Sequence, residues 1–179
     1  METSDACDEA LLGRFVAGDQ DAFEILFRRF QAQVYRWIFS IVRDPAAAED
    51  VLAESFWRAY RARARFDSRR SFGAWMRRIA TNASLDYWRD ERRRRTAGRL
   101  QPAPATPDGA DPALREAIEM ALDRLSPKLR IVATLALIEE RPYAEISEAT
   151  GLPVGTIKSR VSRATARLKD ELSCLGVRS

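Results

Sequence analysis

The chain has 179 residues, is 46% hydrophobic and carries a formal net charge of +4, which excludes a wholly disordered protein. It contains no histidine, so the commonest general base and the commonest zinc ligand are missing, and we expect no enzyme, metal or cofactor site. No run of about 18 apolar residues occurs and the acidic first eight residues are unlike a signal peptide, so we expect a cytoplasmic protein without membrane contact.

Charge is distributed unevenly along the chain. Residues 1–54 carry 11 acidic and 5 basic side chains, residues 58–95 carry 13 basic and 4 acidic ones, and residues 156–169 carry 5 basic and no acidic ones. Solvated helix faces would account for any one of these blocks. Together, an acidic front and two basic blocks indicate polyanion contact at two places and a different partner at the front.

Three apolar stripes at helical spacing precede residue 95. They run through residues 23–41, 48–60 and 72–83, where apolar side chains recur every three or four positions. Asp44 followed by Pro45 predicts a helix start, and Ser71 is the candidate cap of the third helix. No stretch alternates convincingly at period two, so we predict an all-α fold.

The predicted helix at 44–55 carries an acidic surface formed by Glu49, Asp50 and Glu54. Paired carboxylates can bind a metal or perform acid–base chemistry, as in a nuclease. Because histidine and a third ligating element are missing, we favour a surface that binds another protein. We expect the nearby Val51, Phe56 and Trp57 to be the apolar partners of this surface.

Residues 56–95 interleave eight aromatic side chains with thirteen arginines. The loop at 66–72, FDSRRSF, lies between two predicted helices and combines rings with cations, which suits unstacked single-stranded bases. On the next helix, Arg78, Asn82 and Asp86 are four residues apart and share one face. The alternative for Phe72 and Trp75 is a place in the apolar core.

Residues 96–112 form the clearest boundary, because four of these 17 residues are proline and Leu100 is the only large apolar one. Such a composition predicts a linker. We therefore predict two small helical domains, residues 1–95 and 113–179, joined by a Pro/Ala-rich linker. Cys7 and Cys174 lie near opposite ends and are expected to be free thiols.

The segment 143–168 has the pattern of a helix-turn-helix. Gly151 supplies the turn, and Ile157, Val161, Ala164 and Leu168 form the buried side of the second helix. The opposite side carries cations and short polar groups, which fits a recognition helix in the major groove. A basic helix pair that merely packs is the alternative, and the motif alone does not separate repressors, activators and sigma factors.

In this order the segments resemble the extracytoplasmic-function (ECF) group of bacterial sigma factors, within the sigma-70 family. AEDVLAESFWRAY at 48–60 resembles the segment that grips the β′ clamp helices of RNA polymerase. Residues 66–89 resemble the segment that melts and reads the minus-ten promoter element, and residues 122–168 resemble the domain that reads the minus-thirty-five element. The resemblance covers nearly the whole chain and implies a factor that brings core polymerase to promoters.

The resemblance also implies the site residues. The polymerase-binding positions are Glu49, Asp50, Val51, Glu54 and Phe56. The minus-ten positions are Arg58, Phe66, Asp67, Ser68, Arg69, Arg70, Phe72, Arg78, Asn82 and Asp86. The minus-thirty-five positions are Thr156, Lys158, Ser159, Arg160, Ser162, Arg163 and Arg167. The implied partners are core polymerase, through its β′ clamp helices and β flap, double- and single-stranded promoter DNA, and an anti-sigma protein.

Four residues depart from the family pattern. Ala53 stands where glutamine is frequent, Ser147 replaces a frequent alanine in the turn motif, and Arg69-Arg70 occupies a place where small or acidic residues are common. A dimeric helix-turn-helix regulator without a polymerase partner stays open as the alternative function.

Overall fold

The computed structural model describes residues 9–96 and 112–174. These residues form helices and connecting turns with no strand among them, so the all-α prediction is confirmed. The first four helices are α1 (Glu9–Ala17), α2 (Gln20–Val42), α3 (Pro45–Ala62) and α4 (Phe72–Thr96). The next four are α5 (Pro112–Arg124), α6 (Pro127–Ala133), α7 (Tyr143–Thr150) and α8 (Val154–Cys174).

Local capping chemistry sets the helix starts that the sequence predicts. The Asp44 side chain accepts a hydrogen bond of 2.7 Å from the Ala47 amide, and Pro45 occupies the first turn of α3. The Ser71 hydroxyl accepts one of 3.2 Å from the Ala74 amide at the start of α4. Both predicted helix starts are therefore confirmed.

The chain divides into two compact units, Met1–Ser84 and Leu85–Ser179. In the first unit, α2 and α3 pack against each other, and the indole of Trp37 donates a 3.0 Å hydrogen bond to the Thr81 hydroxyl of α4. The buried core of this unit includes Phe15, Leu26, Phe30, Ile38, Phe72 and Met76.

In the second unit, α5, α6 and α8 share an apolar core. Its members are Leu122, Leu125, Ala133 and Ala164, with Ile118, Leu129 and Leu168 packed against them. The last turns of α4 join this unit, because the guanidinium of Arg130 lies 3.5 Å from the ring centroid of Trp88 and Arg95 forms an ion pair with Asp123.

The division between the units thus falls inside α4, earlier than the predicted boundary at residue 95. Residues 97–111, which include nearly all of the predicted linker, lie outside the described residues. The limits 1–95, 96–112 and 113–179 therefore stay predictions.

Candidate nucleic-acid interface

The turn between α7 and α8 is held by hydrogen bonds that involve the last residues of α7. Gly151 ends α7 at φ 71°, the left-handed conformation that glycine adopts without a steric penalty, and its amide donates to the Ser147 carbonyl at 2.8 Å. The Ser147 hydroxyl donates to the Leu152 carbonyl at 2.6 Å, and the Thr150 hydroxyl donates to the Ile146 carbonyl at 2.6 Å. Three residues, 151–153, therefore connect α7 to α8, as in a helix-turn-helix.

The two sides of α8 differ as the sequence predicts. Ile157, Val161 and Ala164 are buried, and Leu168 is half-buried. The exposed predicted DNA-binding residues are Lys158, Ser159, Ser162, Arg163 and Arg167. Thr156 and Arg160 are half-buried at the margin of this surface. The guanidinium of Arg163 donates to the Ser159 carbonyl at 3.3 Å, which holds that cation along the helix. A basic, polar surface of this kind suits the major groove.

The loop before α4 is organised around Asp67. Its carboxylate accepts a 3.1 Å hydrogen bond from the Arg69 amide, and its carbonyl accepts one of 2.9 Å from the Arg70 amide. The side chains of Asp67, Arg69 and Arg70 are exposed, and Ser68 is half-exposed. The loop therefore presents two cations on a preformed turn.

The rings that flank this loop are core residues, and their assignment to the minus-ten contact stays a prediction. Phe66 and Phe72 are buried, with centroids 5.7 Å apart, and both pack against Trp75, at 4.7 and 5.7 Å. Phe72 also contacts Phe15 of α1 and Phe30 of α2. Neither phenylalanine offers a free face for base stacking, and together they anchor the two ends of the loop.

The predicted α4 residues lie at the surface. Arg78 and Asn82 are exposed and one helical turn apart. Asp86 is half-buried and accepts a 2.9 Å hydrogen bond from Arg89. Arg58 of α3 is half-exposed and donates to Glu54 at 2.7 Å, so a residue predicted to bind DNA pairs with one predicted to bind polymerase.

The predicted polymerase-binding residues of α3 include both exposed and buried side chains. Glu49, Asp50 and Glu54 are exposed, whereas Val51 and Phe56 are buried in the first unit. The assignment of these residues to polymerase binding stays a prediction. Phe56 packs edge-on against Phe27 of α2, with centroids 4.8 Å apart. The apolar stripe of the sequence already includes both residues, in agreement with their burial.

Trp57, which the sequence places beside the acidic surface, is absent from the polymerase-binding positions that the family resemblance implies. Its side chain is 55% exposed on α3, beside Glu54 and Ala53, which are also exposed. Exposed tryptophan in a charged surface is a common anchor of protein interfaces. The sequence signal for it is its position one residue after buried Phe56, which turns its side chain about 100° away from the core side of the helix.

The described residues contain no group of three His, Cys, Asp or Glu side chains able to hold a metal ion. A helix that could span a bilayer is likewise absent from residues 9–96 and 112–174. Cys174 is a free, exposed thiol, and Cys7 lies outside the described residues.

Comparison with known proteins identifies both halves of the chain. The model for Sigma-70 region 2 matches residues 26–94, and the model for Sigma-70, region 4 matches residues 115–168. The chain is 36% identical to the RNA polymerase sigma factor CarQ of Myxococcus xanthus over 166 residues, which cover 89% of this chain and 94% of CarQ. It is 32% identical to the ECF RNA polymerase sigma factor SigW of Bacillus subtilis, covering 87% of this chain and 91% of SigW.

Among solved structures, CnrH in complex with the cytosolic domain of CnrY aligns with a TM-score of 0.57 and 25% identity, covering 93% of this chain and 97% of CnrH. The helix-turn-helix, the order of the two matched regions and the relatives of similar length agree with one another. The chain belongs to the ECF subfamily of the sigma-70 family, the RNA polymerase sigma factors that direct transcription initiation at promoters.

Proposed function

We propose that three surfaces of this chain divide the work of initiation. The outer face of α8 reads the minus-thirty-five element, the loop at 66–71 with the exposed face of α4 opens and holds the minus-ten element, and the acidic face of α3 binds core polymerase. The observation that carries the proposal is the row of exposed cations and short polar side chains on α8, the helix that follows the hydrogen-bonded turn.

For the upstream element, the chemistry of α8 supports direct contact with bases. Lys158, Ser159 and Ser162 are exposed next to one another, and their donors match the acceptors that guanine and thymine present in the major groove. Arg163 and Arg167 are exposed farther along the helix, where we assign them to phosphates. Half-buried Thr156 and Arg160 flank the contact and position it.

For the minus-ten element, we give the buried rings and the exposed residues of the loop different roles. Phe66 and Phe72 hold its ends in the core, while Arg69 and Arg70 project from the turn that Asp67 organises. We assign the arginines to the phosphates of the displaced strand and Ser68 to hydrogen bonding with an unstacked base. Arg78 and Asn82 extend this surface along α4, and Arg58 and Asp86 support it at its margins.

For polymerase, Glu49, Asp50 and Glu54 provide the charge and Trp57 provides the apolar anchor. Buried Val51 and Phe56 act indirectly in this assignment, and the ring of Phe56 fixes α3 on α2 through Phe27. We assign this surface to the β′ clamp helices and a second contact of region 4 to the β flap. Exposed Ala53 removes one polar contact that the family frequently makes, which increases the share of binding that Trp57 carries.

The remaining partners follow from the same assignment. A factor of this kind acts on polymerase in the cytoplasm, performs no catalysis of its own and needs no cofactor. We include an anti-sigma protein among the partners because CnrH, which is similar along nearly its whole length, is solved in complex with the cytosolic domain of CnrY.

The test is transcription in vitro with purified bacterial core enzyme on a library of random promoters. We expect RNA 5′ ends at defined sites that require the chain, and comigration of the chain with core enzyme in size exclusion. Core enzyme alone is the control. If the chain comigrates with core but no defined start appears, promoter recognition is wrong; if it never comigrates, the polymerase surface is wrong as well.

A further inference from the structure

The outer face of α8 begins with an apolar side chain. Val154 is the first residue of the helix and is 39% exposed. Lys158 and Ser162 follow at intervals of four residues and are also exposed, so the three side chains lie above one another on one face. Val154 therefore continues the row that we assign to bases, toward the amino end of the helix.

Packing within the chain does not explain why Val154 is followed by Gly155. A single exposed valine is ordinary on a protein surface, but it is followed by Gly155, which is the least favourable helix residue after proline. A Cβ added at Gly155 would meet nothing within 4 Å, and its φ is not positive, so neither internal crowding nor backbone conformation requires glycine. The absence of a side chain beside Val154 leaves space for a partner to approach.

The proposed partner of this helix presents one apolar group of matching size. Base pairs offer hydrogen-bond donors and acceptors in the major groove, and thymine alone adds a C5-methyl group. The amino-terminal residues of a recognition helix are the ones that contact base edges. The exposed cations Lys158, Arg163 and Arg167 give the same helix the charge that DNA attracts.

We propose that Val154 is a specificity residue that packs its methyl groups against the C5-methyl of one thymine in the minus-thirty-five element. The inference rests on the proposed function of α8 and adds to it a contact that discriminates by shape and apolar surface rather than by hydrogen bonding. It predicts that part of the sequence preference depends on a single methyl group.

The test removes that methyl group from the DNA. A promoter selected by the wild-type holoenzyme is prepared with each upstream thymine replaced, one at a time, by deoxyuridine, and holoenzyme binding is measured. We expect one position, on either strand, at which the substitution weakens binding about fourfold, the equivalent of about 0.8 kcal/mol for one buried carbon. The other positions should change little.

The Val154→Ala variant tests the same contact by removing its protein partner. It should fold, because alanine is the better helix former, and bind the thymine promoter about fourfold more weakly. It should lose the response to deoxyuridine, because the partner of the methyl group is gone. Lys158→Ala should weaken binding but keep the deoxyuridine effect.

Three outcomes overturn the inference: a selected element without thymine, no sensitive position in the wild type, or a Val154→Ala variant that keeps the full deoxyuridine effect. The last would assign Val154 to a protein contact or to open solvent. If Lys158→Ala and base-pair changes in the element also leave binding unchanged, the proposed function of α8 itself fails, and the two failures are thereby distinguished.

Discussion

The hydroxyl of Ser147 donates a 2.6 Å hydrogen bond to the carbonyl oxygen of Leu152 across the turn of the helix-turn-helix. Ser147 is one of the departures from the family pattern, in which alanine is frequent at this position. The bond joins α7 to the segment before α8, so serine at this position adds a side-chain hydrogen bond to the turn.

Replacing Ser147 by alanine should lower the free energy of unfolding by about 1 kcal/mol, because one partly buried hydrogen bond is lost. Thermal or denaturant unfolding followed by circular dichroism measures the change. Ser162→Ala, at an exposed position on α8, is the control and should be close to neutral. Equal stability of the two variants would mean that water replaces the bond at no cost.

Gly155→Ala should have opposite effects on folding and on DNA binding. Alanine raises helix stability by up to about 1 kcal/mol, and the added methyl group meets nothing within the chain. The same methyl group should weaken promoter binding by the holoenzyme, because it fills the space beside Val154. Gly13→Ala in α1 is the matched control: its Cβ also meets nothing within 4 Å, and we expect it to leave binding unchanged. Unweakened binding by Gly155→Ala would contradict a close approach of DNA.

Substitutions of two neighbouring aromatic residues of α3 should affect different properties, one polymerase binding and the other the stability of the fold. Trp57→Ala should leave the midpoint of thermal unfolding nearly unchanged and weaken binding to core polymerase at least about tenfold, as expected for an exposed anchor. Phe56→Ala should cost about 3–5 kcal/mol of stability, because its ring is buried against Phe27. Titration of fluorescently labelled chain with core enzyme measures the first effect. A Trp57→Ala variant with wild-type affinity would remove Trp57 from the interface.

Residues of the two regions should affect different steps of initiation. Asn82→Ala should spare binding to duplex promoter and reduce the rate of open-complex formation, since Asn82 is exposed on α4 beside Arg78. Lys158→Ala should reduce duplex binding and alter base preference in the upstream element, by about 1–3 kcal/mol for a good base contact. Permanganate footprinting and gel shift measure the two steps. Equal loss of both steps in both variants would refute the division of labour.

The turn between α1 and α2 should make stability depend on pH. A side-chain hydrogen bond from Arg14, followed by one from the Ala22 amide, lowers the pKa of Asp19. A carboxyl group with a lowered folded-state pKa stabilises the fold fully above its unfolded pKa, about 3.9. That contribution is lost as the pH falls through the folded value.

The advantage of the wild type over Asp19→Asn should therefore be constant at neutral pH and shrink below about pH 4, since asparagine keeps the helix cap but not the charge. Thermal unfolding midpoints from pH 2 to 7 measure it. A difference that does not change with pH would show that the charge of Asp19 has no part in stability.

The helices are predictable from sequence because their buried side chains recur at a fixed period. The stripe Ile157, Val161, Ala164 places the core side of α8, and the opposite side then follows for every other residue of that helix. Asp44-Pro45 and Ser71 mark helix starts through bonds between near neighbours, which need no distant contact. The all-α class and the helix-turn-helix were determined at this level.

Only the tertiary structure decided which aromatic residues are accessible. The loop at 66–71 is too short to have a period, and the burial of Phe72 depends on Phe15 and Phe30, which lie far away in the sequence. The division of the chain inside α4 likewise depends on which helices pack together. Sequence periodicity specifies the faces of a helix, whereas burial at its ends and in loops is set by long-range packing.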